Sequence, residues 1–282
     1  MDSTDRPISR EMQLFLRELN IPMDESEDPT TKFKRWVDLM ENVPLSEPGL
    51  SGKVEDLIVA MNDKEELKLS IDGARVYRVS GDLHSQSMQK TIESYNPGPQ
   101  VANPNDKTDV QKLVRHLDFY YTLPTETTKN RARQQYDLAQ SSYADCVSIL
   151  KSRGLEEGHQ SLYHQAVQHS ISNTNEYLSF CKTVVVILED AINSSIKIWQ
   201  DSEETISRTD QNKLDRYMRD LLDLAFHMCI EVKDIQREIN LHVGPILDKD
   251  ITYTGLKKDL IAAHSRMIGY QKTWTTLDDS VR

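Results

Sequence analysis

Residues 106–154 read DKTDVQKLVRHLDFYYTLPTETTKNRARQQYDLAQSSYADCVSILKSRG. Thr108 and Gln111 stand at capping-box spacing, which predicts a helix start. Val110, Leu113, Val114, Leu117 and Tyr121 then recur at i, i+3, i+4, i+7 and i+11, the pattern of one buried helix face. After a short break at Thr122–Thr125 a second helix is expected, with Tyr136, Ala139, Tyr143, Val147 and Leu150 inward. Gly154 should end it, because a left-handed cap is free of strain where there is no Cβ. Lys112, Arg115 and His116 share another stripe of the first helix, and Lys129, Arg131 and Arg133 crowd the start of the second. From Lys107 to Arg133 there are six Lys/Arg against three Asp/Glu, in a chain of net charge −11. This reversal of sign marks a candidate contact with phosphate, in RNA or in anionic lipid headgroups. A solvated face partnered by Asp118 and Glu126 is the plainer explanation of the same residues. The run Phe119-Tyr120-Tyr121 fits core packing better than stacking on bases.

With 282 residues the chain suits one large or two modest domains. Ten Gly and ten Pro are few for its length, which favours helix. Cys146, Cys181 and Cys229 are odd in number and widely spaced, so a reducing compartment is expected rather than a disulfide framework. Asp2, Asp5 and Arg6 leave no apolar core for a signal peptide. The longest apolar run, Val184 to Leu188, falls far short of the roughly 20 residues a membrane span needs. Any membrane contact is therefore expected to be peripheral. Charge alternates along the chain: residues 1–100 hold 12 basic and 19 acidic groups, residues 201–250 hold 7 and 12, and the last 32 hold 5 and 3. Such alternation suits self-association between unlike faces.

Elsewhere, short helices are expected over Ser9–Leu19, Thr31–Glu41 and about Gly52–Asn62. Leu67, Leu69 and Ile71 alternate ahead of Asp72-Gly73, and Ala74, Val76 and Val79 follow, which predicts a small β-hairpin near residues 66–79. Asp82–Tyr95 and His159–Ser170 read as helices, and the proline-rich stretch 96–105 as a loop. The polar quartet Ser172–Asn175 is the best domain boundary. Beyond it come long regular patterns: Tyr177 to Trp199, Gln211 to Leu241 and Thr254 to about Trp274. The expected fold is all-α, a two-domain multi-helix bundle apart from the hairpin. Its N-terminal domain would cover 1–171, in two sub-bundles of about 1–95 and 105–171, and its C-terminal domain 172–282.

Chemistry-bearing motifs are sparse. The chain has no Walker loop, GxGxxG, HExxH or GxSxG, so no catalytic site and no cofactor are expected. His159, His164 and His169 recur every five residues, which turns each about 140° from the last on a helix and prevents shared chelation. No Cys has a second ligand at zinc spacing, so no metal is expected.

Two blocks resemble the orthomyxovirus matrix protein family. In the first, a loop reading Asn103-Pro104-Asn105-Asp106 precedes the helix with Lys112-Leu113, and a small-residue helix with Tyr143-Ala144-Asp145-Cys146-Val147 closes at Ser152-Arg153-Gly154. The second is Gly255-Leu256-Lys257-Lys258-Asp259-Leu260 followed by Tyr270-Gln271-Lys272, similar to the family's terminal helix. Trp36, Leu45-Ser46-Glu47-Pro48 and Val79-Ser80-Gly81 agree in order. The chain departs from the family where Ser85, Gln86 and Ser87 replace an Arg-rich run and where Asp118 intrudes on the later basic cluster, which points to a divergent, thogotovirus-like member.

The resemblance implies a non-enzymatic viral structural protein that self-assembles beneath the envelope and links membrane to ribonucleoprotein in assembly and budding. It implies as partners other copies of the chain, an anionic membrane surface and the viral ribonucleoprotein or nucleoprotein. It places the protein in the virion, the host cytoplasm, the inner face of the plasma membrane and the nucleus. Lys112, Arg115, His116, Lys129, Arg131 and Arg133 become its phosphate, lipid or RNA contact, and Lys257 and Lys258 mark an interaction helix. The rival expectation is a soluble helical adaptor or effector gripping a host or viral partner through the apolar face of Leu214–Ile239.

Overall fold

A computed structural model describes residues 28–95, 123–155, 157–201, 208–239 and 243–281. Among these there is no strand. The α-helices are α1 (Pro29–Glu41), α2 (Leu50–Asn62), α3 (Glu65–Lys68), α4 (Ile71–Glu93), α5 (Leu123–Ser152), α6 (Gln160–Asp201), α7 (Arg208–Ile239), α8 (Gly244–Leu247) and α9 (Ile251–Val281). The expected helices over Ser9–Leu19 and over 106–121 lie outside the described residues, as does the expected loop at 96–105.

Local chemistry sets the ends. Asp28 caps α1 by accepting from the backbone N–H groups of Thr30 and Thr31 at 3.1 and 3.2 Å, with Pro29 at the first helical position. Gly154 adopts φ 84° after α5. The Gly154 N–H donates to the Lys151 carbonyl and the Leu155 N–H to the Leu150 carbonyl, the paired bonds of a Schellman stop.

The expected hairpin near residues 66–79 is instead α3, a turn and the start of α4. The Ser70 hydroxyl accepts from the Gly73 N–H at 2.9 Å, and the Ser70 carbonyl accepts from the Ala74 N–H, so Ser70 caps α4. Asp72-Gly73 falls in the first turn of that helix. A Cβ on Gly73 would lie 2.5 Å from the Leu67 carbonyl oxygen, so glycine permits close packing of α3 on α4 and not a strand reversal.

Two compact units divide the chain. Unit 1 takes the described residues up to Ser87 together with Gln135–Asn173, and unit 2 takes Met88–Gln134 and Thr174 onward. Helices α4, α5 and α6 therefore each contribute to both. The polar quartet Ser172–Asn175 lies inside the unbroken 42-residue α6, and the units divide there between Asn173 and Thr174. Its polar character does not mark solvent, since Asn173 and Thr174 are buried.

In unit 1, α1 buries Phe33, Val37 and Met40, α2 buries Val54, Leu57 and Met61, and α5 contributes Tyr136, Tyr143, Val147 and Leu150. Gly81 on α4 admits the Tyr143 ring, whose Cε1 would sit 2.5 Å from an added Cβ. In unit 2, α7 packs on α9. Leu214, Leu221, Ala225, Met228, Val232, Ile235 and Ile239 are all buried there. The face that an adaptor would have used to grip a partner is thus consumed by the unit's own core. From α9, Tyr253, Leu256, Leu260, Ala263, Met267 and Trp274 are buried. The Trp274 ring stands edge-on to Trp199 at 5.4 Å and donates to Asp215.

The Tyr143 ring cannot retreat from Gly81, because its hydroxyl donates to Asp82 at 2.9 Å. Gly81→Ala should therefore cost about 1–3 kcal/mol in urea unfolding through overpacking, despite the higher helix propensity of alanine.

Candidate functional site

Helix α5 carries Lys129 and Arg133 four residues apart on one face of unit 2. Arg133 donates through Nη1 to Glu231 and through Nη2 to Glu238 at 2.6 Å, both on α7. Lys129 Nζ lies 3.5 Å from the other oxygen of Glu231, a residue only 8% exposed. Two of the expected phosphate contacts are thus committed to a buried carboxylate. Separating these charges would strand Glu231 in a poorly solvated site. Lys129 also lines a groove with Glu126, Asn130, Asp220, Asp223 and His227. Three carboxylates against one lysine make that groove repulsive to phosphate.

Arg131 differs. It sits about 200° around the helix from Lys129 and is exposed. The three cations adjacent in sequence therefore do not form one patch. Lys112, Arg115 and His116 lie outside the described residues. On α9, Lys257 is half-buried, 5.8 Å over the Tyr253 ring and 3.9 Å from Asp248, while Lys258 is exposed.

Among the described residues the densest polar cluster is in unit 1, and its residues were not expected to act together. Arg75 donates to Glu41 through Nε at 3.0 Å, to Asp38 at 2.7 Å and to Asp72 at 2.8 Å. Arg78 bridges Glu41 at 3.0 Å and Asp82 at 2.7 Å. Asp82 also accepts from the Tyr143 hydroxyl and lies 2.6 Å from His169 Nδ1, which must carry the hydrogen because a carboxylate only accepts. Burial works to raise the Glu41 carboxyl, but hydrogen bonds from Arg75 and Arg78 outweigh it and hold the group below the usual carboxylate range. Arg75, Arg78 and Asp82 follow i, i+3, i+7 spacing on one helix face, a signal obscured by reading their start as a hairpin.

This cluster ties α1, α4, α5 and α6 together within unit 1. Cys146, the nearby thiol, is buried, and burial pushes it up to about 12. Cys181 and Cys229 are buried too. His164 lies edge-on to Tyr163, and His169 is engaged as above. Among the described residues no three His, Cys, Asp or Glu converge on a metal position. Nor is any helix there long and apolar enough to cross a membrane.

No known protein family, curated protein or solved structure matches the chain. Fold and surface alone thus define it, over the described residues, as an all-helical protein of two units interleaved along the chain, whose exposed cations do not form one patch.

Because the folded Glu41 carboxyl is depressed, its contribution is complete above the unfolded value near 4.5 and is lost as pH falls through the lower folded value. Glu41→Gln should lower stability at pH 7 by about 2 kcal/mol and flatten the loss on acidification below pH 4.5, as read by urea titration at several pH values.

Proposed function

We propose that the protein is a viral matrix protein of the orthomyxovirus type, a non-enzymatic layer former beneath the envelope that joins an anionic membrane surface to the viral ribonucleoprotein. Its places of action on this reading are the virion, the host cytoplasm, the inner plasma membrane and the nucleus. The observation that carries the reading is the order of the two resembling blocks along the chain, together with where they fall. The Ser152-Arg153-Gly154 block coincides with the Schellman end of α5, and the Gly255–Leu260 and Tyr270–Lys272 block occupies one continuous helix, α9. Charge distribution agrees with a layer built from unlike faces, since nine of the eleven net negative charges belong to the chain segments of unit 1. Many weak contacts of this kind add through multivalency and weaken with salt.

With Lys129 and Arg133 held by acids, membrane contact falls on this reading to Arg131 and the basic residues Lys112, Arg115 and His116. Purified protein should float with phosphatidylserine vesicles at low salt, form a layer that grows with concentration in electron micrographs, and lose both at high salt. A chain that stays monomeric and unattached throughout overturns the reading. Arg131→Glu should weaken flotation severalfold with an unchanged melting curve. Arg133→Glu should instead destabilise the fold by about 3–5 kcal/mol, because it leaves Glu231 and Glu238 facing a third carboxylate.

A further inference from the structure

Helix α9 buries one narrow face, and the opposite face is open. Ile251 is 87% exposed, Ile261 44% and Ile268 39%. Along the same face lie exposed Thr254, Gly255, Lys258, Ala262, Ser265, Gly269 and Lys272. These residues recur at seven-residue steps, so at about 100° per residue they form one stripe along roughly six turns.

Three properties show a face suited to being covered. A Cβ on Gly255 or Gly269 would meet nothing within 4 Å, and neither has positive φ. Two glycines weaken the helix interior with no packing use among the described residues. The hydroxyls are turned inward: Thr254 donates to the Asp250 carbonyl at 3.0 Å, Ser265 to Ile261 at 3.3 Å and Thr275 to Gln271 at 2.9 Å. Covering the face therefore leaves few polar groups without partners.

We propose that α9 pairs antiparallel with α9 of a second copy, about a two-fold axis passing between Ile261 and Ala262. An isologous contact must be self-complementary, and charge selects this register. Here Lys258 stands opposite Ser265 of the second copy, and Lys272 opposite Ile251. A shift of seven residues in either direction sets Lys258 against Lys258 or against Lys272, and a parallel pair also sets Lys258 against itself. The chosen register avoids these repulsions and keeps the longest overlap of the stripe.

It also brings Ile261 against Ile261, Thr254 against Ile268, Ala262 against Ala262 and Gly255 against Gly269, so small residues meet and the helices approach closely. On the rim, Asp259 and Arg266 are already paired within their own copy, with Lys182 and Glu189, so neither is left as an unpaired charge beside the contact. A lipid surface fits less well. The stripe has no exposed aromatic, since Trp274 is buried, and Asp259 borders it in a chain of net charge −11.

This contact deepens the reading of a layer former, and the test separates the two. Cys146, Cys181 and Cys229 are buried, so a cysteine placed on α9 is the accessible thiol. Full-length Ala262→Cys should form a disulfide-linked dimer under mild oxidation. Lys258→Cys alone should not, whereas Lys258→Cys mixed with Ser265→Cys should. Ala262→Glu should weaken self-association at least tenfold by sedimentation with an unchanged melting curve. Failure of Ala262→Cys to cross-link overturns the contact, even if the wild type assembles on vesicles. So does an Ala262→Glu variant that still self-associates but no longer floats, which assigns the face to lipid. Protein that cross-links as described but never grows beyond a dimer retains this contact and overturns the layer.

Discussion

Asp82 takes hydrogen bonds from three helices at once: Arg78 from its own α4, Tyr143 from α5 and His169 from α6. Through Arg78 it is linked to Glu41 on α1, and through Glu41 to Arg75. Apolar contacts hold unit 1 together without dictating a unique rotation for each helix. A carboxylate that is 10% exposed and satisfied by three directional donors does dictate it, because any slip strands a charge away from water. Gly81 belongs to the same arrangement, since the ring it admits is the one whose hydroxyl reaches Asp82.

Unit 2 uses the same device. There a buried acid, Glu231, draws two cations from α5. Pairs at the rim, such as Lys182 with Asp259 at 2.6 Å, are exposed and contribute little to stability. Arg266 with Glu189 is bidentate and positions α9 along α6 more firmly. With one side of α9 so fixed, its other side stays exposed, with Lys258 and Lys272 as its charges.

Much of this was legible in the letters. The 3.6-residue rhythm of Tyr136, Ala139, Tyr143 and Val147, and of Leu221, Ala225, Met228 and Val232, needs no partner to be recognised, and Gly154 announces its own conformation. Misreadings arose where one pattern imitates another. Leu67, Leu69 and Ile71 alternate like a strand, yet Leu67 is buried while Leu69 is 42% exposed, and the overlooked Ser70 starts a helix. The boundary expected at Ser172–Asn175 does contain the division between the units, although it lies inside one helix and Asn173 and Thr174 are interior residues. The fate of the cations was the least accessible. Arg133 and its acids are separated by 98 and 105 residues, and no local rule connects them.

The interleaving of the units has a consequence for biosynthesis. Unit 1 needs Gln135–Asn173, so its first 87 residues emerge from the ribosome without the helices that complete their core. At about 5–20 residues per second, the 82 residues from Met88 through His169 delay closure by roughly 4–16 s. During that interval the apolar faces of α1 and α2 lack α5, while Glu41 and Arg75 pair with each other and have only Asp38, Asp72 and Arg78 of the same segment as further partners. The early pairing of these two oppositely charged groups, 34 residues apart, would keep the nascent segment soluble and correctly folded back until Tyr143 and His169 arrive.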